Sequence, residues 1–327
     1  SVGLDYSRFS NRSVFEPSRV PLSRVAAVLL RPPADALQRD LLIARLRAMK
    51  GAKDLLVLRN GDQLEGTLNK PAPEITNDTA DADEPSRVFR LGTVGGDATA
   101  PYEHVAAVVF NPTLRESGRP RGSFVWVGFR DGSFVAAKGV RVDAALATIE
   151  LTGGVKLTAK SRAWWRRICY LQSTAAVDYM SDLPTIGYRH IPFFGDPRQM
   201  QLDRNIDGGL LRADGAVFTK GLGLKSACRV AYQLDDSYSR FETELAIDSA
   251  ANELGSVRCR IFLDRGDGRF QVVHTSPIVR GGEPPTPLSV DVGGAKRLAI
   301  LVEYAERGDL QDNVNLLNAR LVRKASR

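Results

Sequence analysis

Most of this chain is written in short apolar runs that alternate with polar positions. Glycine, proline or Asx turns break them about every ten residues, which is the pattern of antiparallel strands. The clearest runs lie in the C-terminal half, at 241–247, 257–263, 270–275, 288–292, 298–304 and 316–322. Within 257–263, Val257, Cys259, Ile261 and Leu263 fall on one face and Arg258, Arg260 and Phe262 on the other. Spacing of this kind predicts an all-β sandwich. One stretch departs from it: Leu37, Leu41, Leu42, Ala44, Leu46 and Met49 recur at helical spacing, with Asp35 at the start and Gly51 at the end. They predict a single helix near 34–50.

The N-terminal half contains an internal repeat. Residues 21–32 align with 101–112: each begins with a proline (Pro21, Pro101), shares Val-Ala-Ala-Val from Val25 and Val105, and ends with a proline (Pro32, Pro112). Residues 56–62 align with 127–133, where Asn60-Gly61 and Asp131-Gly132 supply the positive φ angles of tight hairpins. The pairs Gly95-Gly96 and Gly153-Gly154 recur in step. The expected division is 1–32, the tail of a truncated β repeat; 33–51, a helical connector; 52–112 and 113–176, two small β repeats; and 177–327, a β-sandwich. Each repeat is too short to bury much alone, so closure into small β-barrels packed in tandem is expected. The turn chemistry resembles that of Sm-like small barrels. The Pro-, Asp- and Thr-rich stretch 70–86 reads as a loop. The start at Ser1 suggests an excised chain.

Charge separates the halves. Residues 1–176 hold 25 basic and 18 acidic residues, whereas 177–327 hold twenty of each, so the net charge of +7 belongs to the first half. Its arginines are dispersed, which disfavours nucleic acid as a partner. No apolar run approaches the ~20 residues of a membrane-spanning helix. Cys169, Cys228 and Cys259 exclude a disulfide framework. Cys228 and Cys259 could pair if their strands are neighbours, and two small buried side chains is the plainer reading. His104, His190 and His274 fall in separate segments, and no nucleophile elbow, zincin or Walker motif is present, so no catalytic site is expected. Trp164-Trp165-Arg166-Arg167 could form a stacking platform, but one tryptophan filling a barrel core with the arginines in solvent is the plainer expectation.

The most informative stretch is Lys220-Gly221-Leu222-Gly223-Leu224-Lys225-Ser226, a glycine turn feeding a strand where two backbones approach closely. It resembles the K-G-L-G-x-H-S signature of the NPCBM family. Further matches follow in order over roughly 190–323: Phe241 and Asp248, Gly255-Ser256-Val257, Val290-Asp291-Val292 with Ala295 and Leu298, Asp309 and Asp312, and Ala319-Arg320-Leu321. The resemblance implies a galactose-binding-like jelly roll that recognises galactose-like glycans, and an extracytoplasmic home. Lys225 departs from the family's histidine, and Leu316 stands where relatives often carry tryptophan. That second change removes an expected aromatic face for sugar stacking.

Two ligand sites are expected. The polar loop between the last two strands offers Glu306, Arg307, Asp309, Asp312 and Asn313 to sugar hydroxyls. Asp203, Asn205 and Asp207, followed by Gly208, have calcium-loop spacing and, with Asp248 and Asp264, could hold a structural calcium. Asp214 rather than glutamate stands at the twelfth position, and a polar turn between strands is the plainer reading. The sequence therefore reads as a mainly β, non-catalytic, carbohydrate-binding protein. A scaffold that binds protein partners is the alternative.

Overall fold

The computed structural model describes residues 15–16, 18, 20–69, 74–76, 86–116, 123–129, 133–143, 146–159, 162–174, 176–193, 195–251 and 253–324. Asp131-Gly132 lie outside the described residues, as does most of the stretch 70–86 read as a loop. The chain divides into two compact units, residues 1–119 with 153–157 and residues 120–152 with 158–327.

In the first unit a 3-10 turn at Leu22–Arg24 leads into β1 (Ala27–Leu29). Helix α1 (Ala36–Ala48) follows, and the Asp35 side chain caps it by accepting from the Gln38 N–H at 2.7 Å. Then come β2 (Asp54–Leu58), β3 (Gln63–Leu68), β4 (Glu74–Thr76), β5 (Ser86–Thr93), β6 (Gly96–Pro101) and β7 (Val105–Val109). β4 places a short strand inside the stretch expected to be loop, paired to β5 through Glu74 and Val88. A second 3-10 turn, Tyr102–His104, precedes β7 as the first precedes β1, and both turns start from a proline with the same φ and ψ. The duplicated strands lie side by side and antiparallel, with Val28 opposite Val108. Alternation along β2 and β7 serves two layers. Leu56, Val105 and Val108 pack with Phe89 and Leu91, while Val57, Ala107 and Val109 pack against Leu42 and Leu46 of α1 and Met49 at its C-terminal cap.

The second unit begins with β8 (Val125–Phe129), β9 (Phe134–Asp143), β10 (Leu146–Leu151), β11 (Lys156–Thr158, of which 156–157 fall in the first unit) and β12 (Ile168–Ser173). Four of these run in the order β10–β9–β8–β12. β12 pairs with β8 as β7 pairs with β2. The two hairpins close alike, Leu58 N–H to Asp62 O and Phe129 N–H to Ser133 O, each at 2.8 Å. Trp165 is 60% exposed, with the Arg166 guanidinium 5.6 Å above its ring, so it does not fill a barrel core. Trp126 stacks on Phe134 at 4.4 Å, and both pack against Val177, Tyr179 and Val322.

Those last residues belong to a jelly-roll sandwich formed by β13 (Val177–Tyr179), β14 (Thr185–His190), β15 (Gln201–Leu202), β16 (Leu211–Ala213), β17 (Ala216–Phe218), β18 (Gly221–Lys225), β19 (Cys228–Gln233), β20 (Tyr238–Ile247), β21 (Ser256–Asp264), β22 (Gln271–Thr275), β23 (Val279–Arg280), β24 (Thr286–Asp291), β25 (Arg297–Tyr304) and β26 (Asn313–Arg323). One sheet runs β15–β18–β26–β20–β24 with β13 on β26. The other runs β14–β19–β25–β21–β22 with β23 on β21. Their inner faces meet in one core that includes Tyr232, Phe241, Ile261, Ile300 and Leu316. Cys228 and Cys259 both face this core as free thiols, in register with Val302 of the strand between them, so no disulfide can close. Leu316 is fully buried, so a tryptophan there would belong to the core rather than to a sugar platform.

The glycine signature acquires a steric reason. A Cβ on Gly221 would sit 2.4 Å from the Leu316 carbonyl oxygen, and one on Gly223 would sit 2.2 Å from the Arg204 carbonyl oxygen. Lys220 is buried and satisfied by Asp182 and Asp203, at 2.9 and 2.7 Å. Gly223→Ala is therefore expected to cost about 3 kcal/mol or more. Gly187→Ala, where a Cβ meets nothing within 4 Å, is expected to change stability by less than about 1 kcal/mol. Urea denaturation of the two variants checks the contrast; equal midpoints would contradict it.

Candidate functional site

Four segments meet at one end of the sandwich: 191–200 after β14, 203–209 after β15, the end of β18, and 305–312 between β25 and β26. Two buried residues hold them together from beneath. Asp312 accepts from Ser226 Oγ at 2.5 Å and from the Ser256 N–H at 2.7 Å, joining the last loop to β18 and β21. Gly255 makes room for this loop, because a Cβ there would meet the Gln311 carbonyl oxygen at 2.4 Å. The buried His190 ties down the first segment. Its Nδ1 accepts from the Arg198 N–H at 2.9 Å, which leaves Nε2 as the protonated nitrogen that donates to the Ser226 carbonyl at 3.0 Å.

Above this base the rim sets an exposed aromatic pair beside a chain of polar side chains. Phe193 and Tyr304 are 54% and 43% exposed and meet edge to face, with centroids 5.9 Å apart. Gly308, at φ +66°, lies against the Phe193 ring with no side chain of its own to cover it. Asp309 Oδ2 accepts from the Phe193 N–H at 2.9 Å and so fixes the aromatic backbone to the opposite loop. A polar chain runs alongside. Arg198 pairs with Asp207 at 3.0 Å, Asn313 Nδ2 donates to Asp207 Oδ2 at 3.0 Å, and Lys225 Nζ donates to Asn313 Oδ1 at 3.2 Å. Partial burial pulls the Lys225 ammonium below its ordinary range, with the nearby Asp312, Asp309 and Asp207 opposing that shift. A cavity of about 390 Å³ adjoins the rim, lined by Tyr188, Ile191, Pro192, Pro197 and Arg198 among others.

Of the five residues expected to contact sugar, Arg307 is exposed at a left-handed turn (φ +60°) and Asp309 and Asn313 are half-buried at the rim. Glu306 is exposed but held by Arg280 through two hydrogen bonds of 3.2 and 2.7 Å. Asp312 is interior, so it positions the loop and cannot touch a ligand. The expected calcium ligands do not assemble. Asp203 is taken by Lys220 and the Gly221 N–H, and Asp207 by Arg198 and Asn313. Asn205 Oδ1 accepts from the Gly209 N–H, and its amide donates to Asp248, which Asn315 also reaches at 2.6 Å. Asp264 is held by Arg297 and by the Gly266 and Gly268 N–H groups. Protein donors already occupy each carboxylate, and among the described residues no three His, Cys, Asp or Glu side chains are grouped to hold a metal ion. Sequence reading missed Phe193, Tyr304 and Arg198. The available signal was a Phe193-Phe194 pair between Pro192 and Pro197, of which Phe194 lies outside the described residues.

Burial pushes the Asp312 carboxyl up to about 6, against the opposing Ser226 and Ser256 hydrogen bonds and the Lys225 charge. The folded state then holds this proton more tightly than the unfolded chain, whose carboxyl titrates near 3.8. The contribution of this group to stability is fully present below that value and is lost as pH rises through about 6. Asp312→Asn keeps the shape of the protonated form. It is expected to melt above the wild type at pH 7, with the difference closing toward pH 4. Thermal melts at the two pH values check this, and a pH-independent difference would contradict it.

Residues 177–322 match the model of the NPCBM/NEW2 domain family. A Renibacterium salmoninarum protein assigned as an endo-alpha-N-acetylgalactosaminidase is 30% identical over 105 residues, which is 32% of this chain and 7% of that protein's length. Similar solved folds include the CBM51 module of Clostridium perfringens GH95 in complex with methyl-galactose, 22% identical, covering 44% of this chain and 99% of that one, with a TM-score of 0.38. Another is the tandem CBM51 pair of a family 98 glycoside hydrolase from Streptococcus pneumoniae, 12% identical, covering 91% and 99%, with a TM-score of 0.39. With its glycine signature in a defined steric role and its two-sheet jelly roll complete, the segment 177–322 is an NPCBM/NEW2 domain.

Proposed function

We propose that the sandwich is a non-catalytic carbohydrate-binding module and that the rim of Phe193, Tyr304, Arg307, Asp309 and Asn313 is its sugar site. The observation that carries this reading is an exposed aromatic pair beside convergent polar side chains, tied across the rim by the Asp309–Phe193 bond and from below by the buried Asp312–Ser226 bond. A pyranose offers one apolar face and a ring of hydroxyls. The aromatic edge receives the face while Asp309, Asn313 and Arg307 orient the hydroxyls. The rim is held to both sheets before ligand arrives, which lowers the ordering cost of binding. The resemblance to the NPCBM family favours a galactose-like glycan as ligand and a place outside the cytoplasm; among the described residues no helix is long and apolar enough to cross a membrane.

A glycan array with the full chain tests the reading. A galactose-type signal is expected, weakened at least about tenfold by Phe193→Ala or Asp309→Ala, with the thermal melt of Phe193→Ala unchanged. A folded wild type that binds no glycan would overturn the module assignment. Binding that survives both substitutions would move the site elsewhere.

A further inference from the structure

The outward face of the β14–β19–β25–β21 sheet carries a groove of about 630 Å³, which shares Tyr188 and Arg189 with the cavity beside the loop rim but none of the rim residues Phe193, Tyr304, Arg307, Asp309 and Asn313. Its floor is one cross-strand row, Gly187 opposite Ala231, Ala231 opposite Ala299, and Ala299 opposite Phe262. Three minimal side chains followed by an aromatic ring leave a flat apolar trough, and the 39% exposed Phe270 walls one side. The next row brings Arg189 directly opposite Arg229, and both are exposed and line the groove. Directly opposed residues on antiparallel strands place their Cβ atoms about 5 Å apart, where like charges destabilise the sheet. Neighbouring arginines on this face are neutralised: Arg260 by Glu303 at 2.9 Å and Arg297 by Asp264. Among the described residues Arg189 and Arg229 have no acidic partner. The sandwich region holds equal numbers of acidic and basic residues, so this pair is a local excess that the composition does not force.

We infer that this groove is a second ligand site, for a saccharide bearing a carboxylate of the uronate class. The paired guanidinium forks meet the carboxylate, and the flat Gly-Ala-Ala floor with Phe262 and Phe270 meets the apolar side of the sugar ring. An acidic peptide fits less well. An extended peptide draws its affinity from backbone hydrogen bonds along a sheet edge, whereas on this sheet face the backbone donors are already paired within the strands.

Isothermal titration of the full chain with an oligogalacturonate and with its neutral galactose counterpart tests the inference. The acidic ligand is expected to bind, to weaken as salt rises, and to lose about tenfold or more in affinity in Arg189→Gln and Arg229→Gln. Gly187→Leu, which projects into open space over the floor, is expected to block it. Phe193→Ala is expected to leave it unchanged, which separates this site from the loop rim. The arginine variants remove a like-charge contact and are expected to melt no lower than the wild type, so lost binding cannot be laid to misfolding. Absence of acidic-sugar binding, binding indifferent to both arginines, or preference for an acidic peptide of equal charge would overturn the inference.

Discussion

Everything at the rim end of the sandwich hangs on how closely β18 lies to its neighbours. The backbone of Gly221 runs against Leu316 of β26, and that of Gly223 runs against the 204–205 turn, at separations that leave no room for a side chain. Leu222 and Leu224, between and beyond the glycines, point into the core, so the strand is pinned by burial on one side and by contact on the other. The strand ends at Lys225 and Ser226, and the Ser226 hydroxyl and carbonyl are the points to which Asp312 and His190 attach the two outer segments. A shift in β18 would be felt in both.

The buried carboxylates share a division of labour. Asp248 and Asp312 are 1% and 0% exposed, and each collects donors from segments far apart in the chain. An unpaired acid in such a place would be costly, and a set of satisfied ones fixes loop conformation in a way apolar packing cannot. The acidic residues of this domain therefore split into internal clamps and surface contacts, a distinction of depth rather than of residue type.

That distinction explains what could be read from the sequence. Strand alternation around Val257 to Leu263 gave β21 nearly to the residue, and Asp35 and Gly51 bracketed α1, because period and capping are local properties. The Val-Ala-Ala-Val repeat carried real geometry, although nothing local announced that β1 and β7 would be neighbours. Depth was not legible. Asp309 and Asp312 look equivalent in sequence, yet one lies at the rim and the other is sealed beneath it. The Asp203-Asn205-Asp207 spacing matched a cation loop, but Lys220 and Arg198 come to it from other segments and occupy its oxygens. Phe193 and Tyr304 lie more than a hundred residues apart, so only the fold shows that they form one surface.

The aromatic stack of Trp126 on Phe134 bears on where the module ends. The recognisable domain starts at Val177, but Val177 and Tyr179 are buried partly by those two rings, which come from the preceding repeat. Homology and mechanics thus place the boundary differently. A cut at 176 would sever no strand of the jelly roll and yet would leave an oily scar on it. The smallest piece expected to behave as a well-mannered solute is therefore longer than the family it belongs to.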